Sequence, residues 1–244
     1  MKRPGFCAPF IVIVASVIMV SCSTTESTDV ATSGISADIK VYSYGQGTST
    51  VEATLYVGDG VGGTRLEVVS PDSLTANVNG TEKTLKKKSS ILNDIYYQTS
   101  FDTDSVNVEF LVSFSREEQT SAPTSTVMLP AKYTATLVDS SVSYGDTLEI
   151  TWDPAAGSGN KMYISWEAEC DGDLYYDSTI AAADDGDYSI DTSDMFVYSE
   201  ISATNCDGTF TLERKRTGDL DSNYGKGGDI VGIQRRKLDF SVAF

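Results

Sequence analysis

Residues 106–114 (VNVEFLVSF) place an apolar side chain at every second position from Val106 to Phe114. Successive side chains of a strand point to opposite faces of a sheet, so a period of two predicts a β-strand with one face on a hydrophobic core. Residues 51–57 (VEATLYV) repeat the pattern. The two stretches together indicate a sheet-based fold.

Turn signals separate short runs of this kind. Asn79-Gly80 lies between the runs 75–78 and 81–86, and this dipeptide suits the positive φ angles of a type I′ hairpin turn. Short strands at such spacing are typical of a β-sandwich. We therefore predict a β-sandwich domain over residues 36–122.

The second half of the chain resumes the alternation after a break. Residues 117–125 (EEQTSAPTS) have no apolar periodicity and contain Pro123, which predicts a domain boundary there. Alternation then continues to Phe244, and no amphipathic helix stands out after residue 21. The predicted fold class is all-β, with two tandem β-sandwich domains at 36–122 and 123–244.

The first 21 residues have the layout of a secretory signal. Lys2 and Arg3 give a positive start, and residues 10–20 (FIVIVASVIMV) form an apolar run. That run is about half of the ~20 residues that a transmembrane helix needs. It therefore favours a signal peptide at 1–21 over a membrane span.

Met19-Val20-Ser21-Cys22 resembles the lipobox of bacterial prolipoproteins, in which a small residue precedes an invariant cysteine. The resemblance implies cleavage before Cys22 and acylation of that residue (palmitate), so that its acyl chains anchor the protein in a lipid bilayer. Met19 departs from the usual Leu, and an ordinary signal peptide with a chance cysteine is the alternative. Ser23, rather than Asp, implies the outer membrane of the cell envelope.

Residues 23–35 (STTESTDVATSGI) hold almost no side chain that could be buried. Their Ser, Thr and acidic composition is typical of flexible chain. We expect residues 22–35 to form a disordered, lipidated tether in front of the first sandwich.

Residues 148–166 contain two aliphatic positions, Trp152, an Asp-Pro pair, a loop, and a strand bearing Trp166. This order resembles the B and C strands of an immunoglobulin-like or fibronectin-type-III-like sandwich. An antibody-type domain has Cys, then Trp, then Cys. Here Trp166 precedes both Cys170 and Cys206, which excludes that subfamily. The whole chain resembles two-domain β-sandwich lipoproteins of Gram-negative bacteria, and no activity comes with the resemblance.

The charge balance excludes several classes of function. The chain has 18 basic and 35 acidic residues, no histidine and a formal net charge of −17, which becomes −19 once residues 1–21 and their two basic residues are removed. This charge repels phosphate backbones and excludes nucleic acid as a partner. The absence of histidine removes Ser-His-Asp and Cys-His nucleophiles. Paired carboxylates remain for glycoside cleavage, but nothing marks two of them, so we predict a non-enzyme without catalytic residues.

The cysteines predict one disulfide. Cys7 is lost with the leader and Cys22 is acylated, which leaves Cys170 and Cys206 as a pair. An isolated pair in an exported protein usually forms a disulfide. Two free thiols or half of a metal site are the alternatives, although a zinc site would need more ligands than the chain supplies.

Two acidic stretches raise the question of calcium, the natural cation outside the cytoplasm. Residues 167–194 carry ten acidic and no basic side chains. Separately, oxygen ligands stand two residues apart at Asp219, Asp221 and Asn223, which resembles the opening of an EF-hand-type loop. Tyr224 and Ile230 stand where that loop has its turning Gly and its bidentate Glu. The alternative for the first stretch is solvated acids in loops, and the alternative for the second is an Asx-rich turn. No other cofactor is indicated. The candidate ligands of the second stretch are Asp219, Asp221, Asn223 and Asp229.

The remaining features have plain structural explanations beside functional ones. The basic runs 86–88 and 214–216 suit the protection of an exposed sheet edge, or a contact with lipopolysaccharide phosphates or another anionic partner. Arg235-Arg236 in the last strand could balance nearby acids. The tyrosine pairs 96–97 and 175–176 suit half-buried strands, or stacking on sugars.

These features predict a membrane-anchored lipoprotein of the cell envelope. Its function would be that of a non-enzymatic structural or protein-interaction module, with the bilayer and an envelope protein or glycan as partners. The alternative is a carbohydrate- or calcium-binding lipoprotein that uses the acidic second domain.

Overall fold

The computed structural model describes residues 24–60, 63–89, 94–156, 160–197, 201 and 203–244, and only the backbone of 176–179. The described residues are almost entirely β-structure, as predicted, with one short helix, α1 (Thr192–Met195), and two 3-10 turns. The strands, in chain order, are β1 (Thr24–Glu26), β2 (Ile35–Ser43), β3 (Ser49–Val57), β4 (Thr64–Glu67), β5 (Ser73–Val78), β6 (Thr81–Thr84), β7 (Lys86–Ser89), β8 (Ile95–Phe101), β9 (Glu109–Ser115), β10 (Ala122–Met128), β11 (Ala135–Leu137), β12 (Ser141–Ser143), β13 (Thr147–Trp152), β14 (Lys161–Cys170), β15 (Asp173–Ala183), β16 (Asp187–Asp191), β17 (Asn205–Thr217) and β18 (Gly228–Ala243).

Within this part of the chain the strands form one large sheet and two small ones. The large sheet has the order β1-β4-β3-β2-β18-β17-β14-β15, with β8 also beside β3, β7 beside β8, and β12 beside β18. The small sheets are β10-β9-β5-β6 and β11-β13-β16. The Asn79-Gly80 turn between β5 and β6 has positive φ angles at both residues, as its sequence predicts.

Two hydrophobic cores lie between the large sheet and the small sheets. The first contains apolar residues of β2, β3, β5, β9 and β10, with Phe110 and Phe114 among its largest fully buried side chains. The second contains apolar residues of β13, β14, β17 and β18, with Trp152 and Trp166 both 6% exposed. The chain is therefore an all-β protein built of sandwiches.

Strand β18 belongs to both sandwiches. Its first half pairs in parallel with β2 from Gly228 to Gln234, and from Val231 onward it pairs antiparallel with β17 without a register shift. Ile230 lies in the first core and Phe240 in the second. These two positions are an even number of residues apart, so both cores lie on the same face of one continuous strand. The opposite face of the large sheet is its outward face.

The two cores divide at a different place from the domain boundary predicted at 122/123. Val127 and Leu129, after that boundary, pack in the first core, and so do Tyr224 and Ile230. Alternation in a sequence indicates which side chains point inward but not which strand pairs with which, because that depends on distant residues. The second core begins at Tyr133.

Tyr133 occupies the junction between the two cores. Its hydroxyl donates to the carbonyl oxygen of Leu212 at 2.7 Å, and its own carbonyl accepts from Nε of Arg236 at 3.0 Å. Its ring lies 4.7 Å from the Arg214 guanidinium carbon and 4.9 Å from that of Arg236. These contacts attach the connection between the sandwiches to both β17 and β18.

A buried ion pair lies beside Tyr133. Arg214 donates from Nε and Nη2 to the two carboxylate oxygens of Asp184, each at 2.7 Å, and Asp184 also accepts from the Trp152 indole at 2.9 Å. The Arg214 and Asp184 side chains are 4% and 0% exposed. The basic run 214–216 favours a role in protecting a sheet edge, but Arg214 is buried and does not have that role.

The expectation of a flexible tether over residues 22–35 does not hold from Thr24 onward. Strand β1 pairs in parallel with β4, and Ser27 and Thr32 are buried. Polar contacts replace the missing apolar ones, because the buried Arg116 pairs with Asp72 and donates to the carbonyl oxygens of Ser27 and Val30. The signal peptide expected at 1–21 and the acylation of Cys22 lie outside the described residues.

Candidate interaction surface

Over the second sandwich, the outward face of the large sheet carries rows of side chains that lie side by side on neighbouring strands. Every second residue of β14, β17 and β18 points to this face, because their inward neighbours fill the second core. The registers place Glu167 beside Thr209 and Thr209 beside Asp239. The other outward rows are Tyr163-Glu213-Arg235, Ser165-Thr211-Lys237 and Glu169-Asp207-Ser241.

An aromatic and arginine cluster extends this face toward the first sandwich. Nε of Arg235 donates to Glu213 at 2.7 Å, and its guanidinium carbon lies 5.5 Å and 5.8 Å from the ring centroids of Tyr42 and Tyr44. The two rings meet edge to face at 5.8 Å, and Tyr44 is 42% exposed. Lys215 also pairs with Glu213 at 2.9 Å. We call Tyr42, Tyr44, Glu213, Lys215 and Arg235 the aromatic–arginine cluster.

The surroundings of Glu213 and Tyr42 shift the pKa values of both side chains. Burial alone would raise the pKa of Glu213, but the hydrogen bond with Lys215 and the charge of Arg235 outweigh it and hold the pKa below its usual value. Burial, followed by the nearby charge of Glu52, raises the pKa of Tyr42 to about 12. At neutral pH the neutral phenol of Tyr42 therefore lies beside an ionised Glu213–Arg235 pair.

A shallow depression of about 540 Å³ lies farther along the same face. Its lining includes the carboxylates of Glu167, Glu169, Asp207 and Asp239. Asp239 accepts a hydrogen bond from Thr209 at 2.9 Å. The exposed side chain of Leu174 on β15 borders the depression. Together with the cluster, it makes one face that is aromatic and cationic at the junction and acidic toward β15.

The acidic residues of 167–194 do not gather at one point. Asp184 is buried against Arg214, whereas Glu167, Glu169 and most of the other acids are exposed. The Asp177 side chain lies outside the described residues. Among the side chains that are described, no group of three or more acidic or cysteine residues is placed to hold a metal ion.

The stretch that resembles a calcium loop forms an Asx turn. The Asp221 carboxylate accepts from the Thr124 backbone nitrogen at 2.8 Å and from the Asn223 backbone nitrogen at 2.9 Å. Asp219 pairs through its backbone with Thr126. Asp229 lies at the start of β18, directly beside Asp38 of β2. Calcium binding by Asp219, Asp221, Asn223 and Asp229 stays a hypothesis from the sequence.

The cysteine prediction is confirmed. Cys170 and Cys206 form a disulfide that joins the end of β14 to the start of β17, with their Cα atoms 4.4 Å apart. Both residues belong to the second core. The bridge therefore fixes the end of the sheet that carries the acidic depression.

Nothing in the sequence marks the aromatic–arginine cluster as a unit. Arg235 was expected to balance nearby acids, and it does pair with Glu213. Tyr42 and Tyr44 had no such signal, because they come together with Arg235 only through the parallel pairing of β2 and β18. In the adjacent tyrosine pairs, Tyr97 is buried and Tyr175 is half-buried, as expected for strands.

No described helix is long and apolar enough to cross a membrane.

Comparisons with known proteins add only weak similarities. No protein family and no curated protein matches the sequence. A structure of the adhesin InvE from Yersinia pseudotuberculosis aligns with 86% of this chain at 10% identity and a TM-score of 0.23. The chicken CNTN1 FN1-FN3 domains align with 85% of it at 7% identity and a TM-score of 0.25. The alignments span 59% and 66% of those chains, and likenesses this weak carry no argument about function.

Proposed function

We propose that this chain is an exported lipoprotein, anchored through Cys22 in the cell envelope, that serves as a non-enzymatic structural or protein-interaction module. The proposal has two parts that are tested separately. The anchor rests on the lipobox-like sequence that ends at Cys22, and the interaction role rests on the outward face of the large sheet.

The observation that carries the interaction role is the shared strand. Because β18 completes both sandwiches on one face, the two cores form one body, and the opposite face is a continuous surface. A surface of this kind can be held in one shape before a partner arrives, which reduces the entropy lost on binding.

The chemistry of the aromatic–arginine cluster supports the same role. Tyrosine and arginine are enriched among the residues that dominate protein–protein affinity. Here Arg235 is fixed by Glu213 and by two tyrosine rings, so little side-chain freedom remains to be lost. The cluster is the centre that we expect a protein partner to cover.

Acylation is tested on the full chain, expressed in a Gram-negative bacterium with its own leader. Intact-mass spectrometry should show a chain that begins at Cys22 and carries fatty acyl groups. Cys22→Ala should lose both the acyl mass and membrane retention. Cys7→Ala, in the leader, is the matched control and should leave the mature product unchanged. An unacylated first residue would remove the anchor.

The interaction role is tested by site-specific photo-crosslinking in the living cell. A photoreactive residue at Tyr44 or Lys237 should give a discrete crosslinked product that Arg235→Ala weakens. Val138, which is 59% exposed but lies beyond β11 of a small sheet, is the control position. Equal products at all three positions would argue against a defined face. Calorimetry with calcium and a glycan array test the alternative ligands.

A further inference from the structure

We propose that the lysine-rich edge strand β7, together with Arg65 of the nearby β4, is a second membrane contact, which binds anionic phosphate groups of the bilayer that holds Cys22. We call Arg65, Lys86, Lys87 and Lys88 the basic edge. The inference rests on the proposed lipid anchor and adds a surface and an orientation to it.

The folded body begins two residues after the anchored cysteine. Thr24 is already part of β1, so Ser23 alone separates the folded body from Cys22. Two residues span at most about 7 Å. An acylated Cys22 therefore leaves no spacer, and the part of the body around β1 must lie at the membrane surface.

The basic edge lies close to β1. Thr24 is the direct partner of Arg65 in the parallel β1–β4 ladder, and Glu26 is the partner of Glu67. Glu67 forms an ion pair with Lys87 of β7. Strand β7 therefore approaches β4, the ladder partner of β1, through Lys87. Lys86 and Lys88 lie on either side of Lys87 and point to the other face of the same strand.

Strand β7 carries the exposed charges of the basic edge. Residues 86–89 are exposed throughout β7, and Lys86 and Lys88 form no ion pair with any residue that the structure describes. Arg65 pairs with Asp94 at 3.4 Å, with both side chains partly exposed. The protein as a whole is strongly acidic, and Lys86 and Lys88 are the charges of this edge that no described ion pair neutralises.

The physical consequence is an electrostatic contact of short range. Each lysine near an anionic leaflet adds a favourable interaction that fades within the Debye length of about 8–10 Å. Edge protection alone would explain lysines on β7, but it would not require them beside the anchored strand. The acidic depression lies on the second sandwich, away from this edge, where it is not forced against the same phosphates.

The test uses the full chain, purified with its acyl groups and reconstituted into vesicles. The vesicles are phosphatidylcholine alone or phosphatidylcholine with anionic phosphatidylglycerol. The rate at which an amine reagent labels each lysine is read by mass spectrometry. In anionic vesicles, Lys86, Lys87 and Lys88 should be labelled about fivefold more slowly than in detergent, and high salt should reverse this. Lys40, Lys161 and Lys237 should change less than twofold.

A paired variant keeps the test independent of folding. Lys86→Gln/Lys88→Gln retains the Lys87–Glu67 ion pair and leaves Lys87 as a reporter, whose slow labelling in anionic vesicles should be lost. Lys40→Gln/Lys237→Gln is the control and should leave Lys87 slow. Equal labelling in anionic vesicles and detergent, or equal slowing in both kinds of vesicle, would overturn the basic edge while the acyl mass of the same sample upholds the anchor. An unacylated sample would overturn both.

Discussion

Arg214 and Asp184 form a bidentate ion pair at the junction of the two cores, with both nitrogen–oxygen distances at 2.7 Å. The same guanidinium donates to the carbonyl oxygens of Ala131 and Asp153, so one side chain joins β17 to the linker and to the end of β13. Arg214 therefore has a structural role, and these contacts explain why a basic residue is buried within a strand.

Removal of one partner of this pair should be costly. Asp184→Ala leaves the Arg214 charge buried, and we expect a loss of about 3–5 kcal/mol in the free energy of unfolding. Asp185→Ala changes an exposed neighbour and should stay within about 0.5 kcal/mol of the parent. Urea unfolding followed by tryptophan fluorescence measures both. Equal midpoints would show that the pair contributes little.

The N-terminal segment should depend on Arg116. Arg116→Met removes the hydrogen bonds to Ser27, Val30 and Thr32, and the mostly polar segment has few apolar contacts to replace them. Amide hydrogen exchange over residues 24–34 should then become at least about tenfold faster, while exchange in β14 is unchanged. Arg216→Met, at an exposed position of β17, is the control. Unchanged protection of 24–34 would contradict this account.

Gly228 should tolerate no side chain. Its φ is +120°, and a Cβ there would lie 2.0 Å from the carbonyl oxygen of Ala37, where β18 first meets β2. We expect Gly228→Ala to lower the free energy of unfolding by about 3 kcal/mol or more. Gly227→Ala meets nothing within 4 Å and carries only the strain of φ +72°, about 1 kcal/mol. Thermal unfolding separates the two, and a smaller effect at Gly228 would argue against the β2–β18 pairing.

The disulfide should stabilise the second sandwich mainly through the unfolded state. Cys170 and Cys206 are 36 residues apart, and a loop of this size corresponds to roughly 3–4 kcal/mol in the chain-entropy treatment. Cys170→Ala/Cys206→Ala should therefore unfold at a lower temperature than the oxidised parent. A reducing agent should lower the parent's midpoint and leave the variant's unchanged. A reductant effect on the variant would show that the change in midpoint does not come from this disulfide.

Stability should fall in acid. Burial tends to raise the pKa of Asp184 and of Asp221, but hydrogen bonds from Arg214 and Thr124 respectively outweigh it, so both pKa values lie below the ordinary 3.8. A group whose pKa is lower in the folded state stabilises it above the unfolded value, and that contribution is lost as the pH falls through the folded value. We expect unfolding midpoints to be flat from neutral pH down to about 5 and to drop below about 4.

Asp221→Asn provides the check on this pH dependence. The variant should be less stable at neutral pH and should lose less stability on acidification than the parent. Asp219→Asn, at an exposed neighbour that pairs through its backbone, should keep the parent's profile. Parallel profiles for Asp221→Asn and the parent would exclude this carboxylate as a source of the acid sensitivity.

The sequence predicts the strands better than their partners. Alternation identifies inward residues such as Phe110, Phe114 and Phe240, because period and burial are local properties. It cannot show that Ile230 fills the first core, since that follows from the pairing of β18 with β2. Nor can it show that Arg116 and Arg214 are buried, because a buried arginine is specified by its partners rather than by its neighbours in sequence.

The sharing of β18 has a consequence for the timing of folding. This is the last of the described strands to be synthesised, yet the first sandwich needs its Ile230 and its ladder with β2. Contacts between such distant segments form slowly, and domains lacking a strand stay incomplete while the chain emerges. Neither sandwich can therefore be completed before β18 has been made.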